Sequence, residues 1–91
     1  MSNKIIGAWT TYSSTISREA QKVFDAALDD LIGVDYTPVA VATQDVTGTN
    51  YSFFCNGLPV LPDAVPRGYM VLIYAPQDGN PELKNIEVLP R

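Results

Sequence analysis

Residues 17–33, SREAQKVFDAALDDLIG, decide the fold. Ala20, Val23, Phe24, Ala27, Leu28, Leu31 and Ile32 recur at i, i+3, i+4, i+7, i+8, i+11 and i+12, the spacing of one helix face. Ser17 is placed to cap the first turn, Glu19 suits the positive end of the helix dipole, and Gly33 suits a left-handed stop. The five larger side chains of the stripe would gain on the order of 10 kcal/mol gross if buried at about 1.5–3 kcal/mol each. One helix cannot collect that alone, so the stripe requires a sheet.

The sheet follows in the sequence. YTPVAVATQDV (residues 36–46) is rich in β-formers after Pro38, with Val39 and Val41 expected on one face. TNYSFFCN (residues 49–56) alternates, setting Tyr51, Phe53 and Cys55 against Asn50, Ser52 and Phe54. GYMVLIYA (residues 68–75) is apolar on both faces, as a covered central strand should be. ELKNIEVL (residues 82–89) opposes Ile86 and Val88 to Asn85 and Glu87, the pattern of a half-exposed strand. KIIGAW (residues 4–9) reads as a short strand or an extended arm ahead of the helix. Residues 56–67 hold three prolines and read as an irregular connection. One helix before a run of strands predicts an α+β domain spanning residues 1–91, the helix packed on a twisted antiparallel sheet of four to five strands. In such a meander the first and third connections share one end of the sheet, and the proline-rich loop takes the other.

Composition narrows the function. The chain has 91 residues, a net charge of −4 and only six basic residues scattered from Lys4 to Arg91, which offers no stripe for a phosphate backbone and predicts no nucleic-acid partner. With no histidine and one cysteine, there is no Ser-His or Cys-His pair, no internal disulfide and no Cys-x-x-Cys metal site. No cofactor or metal is expected. Cys55, on the face of Tyr51 and Phe53, reads as a buried thiol. Asp25, Asp29 and Asp30 read as a solvated helix face. No run is long and apolar enough to be a signal peptide or a membrane span, which predicts a cytoplasmic protein and no membrane partner, although a chain whose export signal had been removed would look the same.

The first hairpin carries the sharpest motif. Residues 43–51 read TQDVTGTNY, so Gln44, Val46 and Gly48 are followed by Thr49, Asn50 and Tyr51. A helix, then a meander with Gln-x-Val-x-Gly-Thr-Asn-Tyr at its first tip, resembles the cystatin/stefin family of papain-like cysteine protease inhibitors. That family's tip is Gln-Val-Val-Ala-Gly, which three of the five residues match. The likeness follows element order over most of the chain, but motif identity is confined to the tip and to Gly7, at the place of the family's N-terminal glycine.

The resemblance implies a cystatin-like fold and a reversible inhibitor. It implies a wedge of arm and two hairpin tips that fills the protease cleft without presenting a cleavable bond. Gly7 would then be the arm's close-contact point, since no Cβ intervenes there. Gln44, Asp45, Val46, Thr47 and Gly48 would form the central tip, and Pro76, Gln77, Asp78 and Gly79 the second tip by position alone. Preorganised hairpins keep the ordering cost of binding small.

Asp45 departs from the family pattern, which has an apolar residue there. A carboxylate entering a cleft surrenders its water at a cost of several kcal/mol unless a cation meets it. The second turn also lacks the Pro-Trp pair of secreted cystatins, and Trp9 reads instead as a partly buried anchor of the arm. Two alternatives stay open. One is a non-inhibitory domain of the same fold that binds a protein or peptide or self-associates, as a monomer or a domain-swapped dimer. The other is a small hydrolase using Asp45 and Asp78, which would need a cleft holding both.

Overall fold

The computed structural model describes residues 7–90. Helix α1 spans Arg18–Ala27, followed by strands β1 (Val34–Val46), β2 (Gly48–Pro59), β3 (Arg67–Ala75) and β4 (Glu82–Val88). The four strands form one antiparallel sheet in the order β1-β2-β3-β4, with α1 on one face. Residues 4–6 of the expected N-terminal strand or arm lie outside the described residues.

Ser17 caps α1 as its position suggests: its Oγ accepts a hydrogen bond from the Ala20 N–H at 3.0 Å. The helix nevertheless ends at Ala27, well short of Gly33. Asp25, Asp29 and Asp30 crowd the end where the helix dipole is negative, and the last turn holds no basic residue to offset them. Aspartate is also a poor helix former. Leu31 and Ile32 therefore fall outside the stripe, and Ile32 is left 95% exposed. Gly33 does adopt a left-handed φ of 105°, but it turns the chain into β1 instead of capping the helix.

The core is built where the stripe and the odd-numbered positions of β2 and β3 meet. Phe24 stands edge-on to Phe53 with ring centroids 4.9 Å apart, and Tyr51 stacks on Phe53 at 5.9 Å. Phe53, Cys55, Val71 and Ile73 are fully buried. Burial pushes the Cys55 thiol up to about 12, which makes it a packing residue with almost no thiolate at neutral pH. Burial also raises Tyr36 and Tyr51, with smaller contributions from Tyr69 and Cys55 at Tyr36, and from Glu19 and Asp45 at Tyr51.

All three groups hold their protons more tightly in the fold than in the unfolded chain. Their stabilisation is complete below the unfolded pKa values and is lost as pH rises through the folded ones. Stability should therefore decline from about pH 9 upward, beginning with Cys55, which adds up to about 1.4 kcal/mol per pH unit to the slope, and continuing through Tyr36 and Tyr51 at higher pH. Urea midpoints measured between about pH 8 and about pH 11 check this, and Cys55→Ala should flatten the earliest part of the decline.

Two strand readings need correction. A bulge between Pro38 and Ala40 leaves Val39 unpaired and exposed while Val41 is buried opposite Phe53, so the two valines do not share a face. The bulge sits on an edge strand beside a proline, where an irregular ladder is cheapest. The expected irregular stretch at residues 56–67 is also shorter, because Asn56, Gly57, Leu58 and Pro59 still belong to β2. Gly57 permits that extension: a Cβ there would lie 2.3 Å from the Tyr69 ring. In β4 the register shift falls at Lys84, and beyond it Ile86 and Val88 pair with Val71 and Tyr69 while Asn85 and Glu87 pair with Leu72 and Met70, the expected alternation.

The early helix stop shapes the molecule. At about 1.5 Å per residue, α1 is roughly 15 Å long. β1 has 13 residues and, at about 3.3 Å each, runs roughly 40 Å along the 49 Å long axis. The sheet is thus more than twice as long as its helix and extends beyond it. One end of the sheet carries the hairpin tips and the other the proline-rich loop.

Candidate binding edge at the hairpin tips

The tip of the first hairpin is a tight turn. Val46 pairs with Gly48 across the single residue Thr47, and Gly48 has φ +96°. A Cβ on Gly48 would lie 2.5 Å from the Ala75 carbonyl oxygen and 3.0 Å from Pro76 Cα, so the second turn presses directly against the first. The Tyr74 hydroxyl donates to the Thr47 carbonyl and ties the tip to β3. Gly79, φ +112°, closes the second turn.

The arm lies along the outer edge of β1. The Gly7 N–H donates to the Asp45 carbonyl at 2.9 Å, Thr10 N–H to Thr43 at 2.8 Å, and Ser13 and Val41 exchange bonds at 2.9 Å. Trp9–Gln44 and Ser13–Val41 form isolated bridges within this pairing, and from Gly7 onward the described part of the arm forms no regular strand. Gln44 is the clamp. Its Nε2 donates to the Gly7 carbonyl at 2.7 Å, while its Oε1 accepts from Asn50 Nδ2 at 2.8 Å. Gln44 and Asn50 are cross-strand partners, which places this relay on the face of the sheet opposite the helix.

Gly7, the Val46–Thr47–Gly48 tip and the turn of Pro76, Gln77, Asp78 and Gly79 therefore share one end of the molecule. Val46 and Thr47 are exposed there, as are Gly7, Gln77, Asp78 and Gly79, whereas Pro76 is half-buried. Asp45 alternates with Val41 and so faces the helix side. It is half-buried, and its charge helps to raise Tyr51. The structure thus brings together the residues named from the sequence but turns Asp45 aside from the leading edge. Trp9, bridged to Gln44, is 44% exposed and so partly buried at this end.

A recess of about 340 Å³ separates the helix start from the tips and is lined by Glu19, Val23, Tyr51, Pro76 and Gln77 among others; neither Asp45 nor Asp78 lines it. No group of His, Cys, Asp and Glu that could hold a metal occurs among the described residues. Comparison of the chain with family models, curated proteins and solved structures finds no match.

The tether from Tyr74 and the crowding at Gly48 could not be read from the sequence, because both depend on how closely β3 approaches the first turn. Among the described residues no helix is long and apolar enough to cross a membrane.

Proposed function

We propose that this protein acts by protein binding through its tip edge, and specifically that it is a cystatin-like reversible inhibitor of papain-like cysteine proteases. The observation that carries the proposal is the adjacency of three segments distant in sequence: Gly7, the Val46–Thr47 tip and the Gln77–Gly79 turn. In a wedge of this kind the exposed Val46 excludes water, and the Gln44 clamp keeps the arm in register, so little ordering remains to be done on binding. No bond in this chain is made or broken; the enzyme is obstructed.

A second reading has its own support. Gln44, Gly48, Asn50 and Tyr51 each hold the fold together, through the arm clamp, the tight turn and the core. The motif would be required even in a non-inhibitory domain that binds another protein. Titration of active papain with the purified protein, followed by hydrolysis of a fluorogenic substrate, separates the two. Reversible inhibition in the micromolar range is expected, since a carboxylate beside the tip raises the desolvation cost of entering an apolar cleft. Full papain activity at several hundred micromolar protein, a bound set by that same arithmetic, would leave the second reading.

A further inference from the structure

The opposite end of the sheet has a different chemistry. From Val41 toward the tips, the arm satisfies the outer edge of β1, but among the described residues no strand pairs with the outer side of residues 34–39, whose inner side is taken by β2. Val41 points its backbone groups outward to Ser13, and the register carries the same alternation back to Tyr36 and Val34. A cavity flanks this open edge on each side. One, of about 260 Å³, lies against the helix and is lined by Phe24, Asp25, Leu28, Leu31 and Tyr36. The other, of about 390 Å³, is lined by Leu58, Val60 and Leu61 with two prolines. Asp35 borders both. A strand added to the edge would send alternate side chains toward the two cavities.

The surroundings are apolar at the centre and acidic at the rim. Ile32, Val60 and Leu61 are 95%, 64% and 71% exposed. Asp25 and Asp35 line the hollows, and Asp29, Asp30 and Asp63 stand within three residues of Ile32 or Leu61 in the chain; none is in an ion pair among the described residues. Arg67, the basic residue nearest in the chain to this loop, has its Nε buried and turns its guanidinium toward the Leu89 carbonyl at 3.5 Å. A second copy would bring the same carboxylates face to face, and an anionic lipid surface would be repelled.

We infer that the open half of β1 accepts an extended, apolar and basic segment of another protein as an added strand. The backbone groups of Val34 and Tyr36 supply the ladder. The shallow hollow beside Leu58, Val60 and Leu61 takes apolar side chains, and the carboxylates of Asp25 and Asp35 in the hollow on the helix side take lysine or arginine. Pro38 and the bulge at Val39 end the site, so it spans about five residues of β1.

The test is a nitrogen-15 NMR titration of the full chain with a blocked heptapeptide alternating valine and lysine. Two control peptides carry glutamate for lysine, or proline for the central valine. The lysine peptide should shift the amides of Val34, Asp35, Tyr36, Thr37, Val60 and Leu61, and both controls should bind at least roughly tenfold more weakly. The Asp25→Lys, Asp35→Lys double variant should reverse the preference between the lysine and glutamate peptides while leaving papain titration unchanged. The outcome is therefore independent of the inhibitor proposal. Equal binding of the lysine and glutamate peptides, or shifts concentrated on β4, would overturn the inference. So would the same shifts appearing on concentration without peptide, which would assign the edge to a second copy.

Discussion

Asp45→Val is expected to tighten papain inhibition by roughly 100-fold, the equivalent of about 3 kcal/mol. Asp45 lies immediately behind Val46, with its side chain on the helix side of β1, where its charge already acts on Tyr51. When a cleft wall closes beside the tip, a half-buried carboxylate gives up more water than an apolar side chain does, a desolvation cost that its contacts within the chain only partly offset. Valine removes that cost without altering the backbone, whose Asp45 carbonyl still accepts from Gly7. Inhibition constants for the two proteins check the result, with thermal unfolding recorded beside them to separate a change at the tip from a change in the fold. If papain responds identically to both, the tip does not enter its cleft and the wedge proposal fails.

Gly48→Ala is expected to cost about 3 kcal/mol of stability. A left-handed residue with a Cβ is worth roughly 1–2 kcal/mol of strain, and overlap with packed backbone adds a further 1–3 kcal/mol or so. The atoms in the way are the Ala75 carbonyl and Pro76 Cα, which cannot swing aside as a side-chain end could. For a domain of this size the melting temperature should fall by roughly 12–24 °C. Gly7→Ala is the comparison. Gly7 has a similar φ of 89°, but a Cβ there meets nothing within 4 Å, so only the backbone term of about 1 kcal/mol applies. Equal losses in the two variants would mean that the turns are not pressed together as described.

The fold was legible wherever one residue type had one use. Phe24 and Ala20 lie in the core because a 3.6-residue period leaves them no other face. Tyr51, Phe53 and Cys55 lie together because a strand alternates. Ser17 caps the helix through a bond made within three residues. The helix end was not legible from periodicity, since the stripe runs on to Ile32 while the accumulated charge of Asp29 and Asp30 stops the helix earlier. The bulge at Val39 was hidden for a related reason: register is settled between strands, and neither strand alone records the slip.

At the candidate edge, local chemistry set the turn. Gly48 was readable as a residue needing positive φ, and antiparallel order alone put the two tips at one end. Only tertiary structure decided that Gln44 would reach back to Gly7, that Tyr74 would tie down Thr47, and that Asp45 would face the helix side. Each depends on a distance between segments more than 25 residues apart or on a register shared by two strands, and such quantities are fixed by packing. By itself the sequence determined one helix ahead of four consecutive strands, left a fifth open at the arm, and set the neighbours within each element, because those follow from periods and caps. Packing decided where the sheet overhangs its helix, and so which ends of the molecule remain open to a partner.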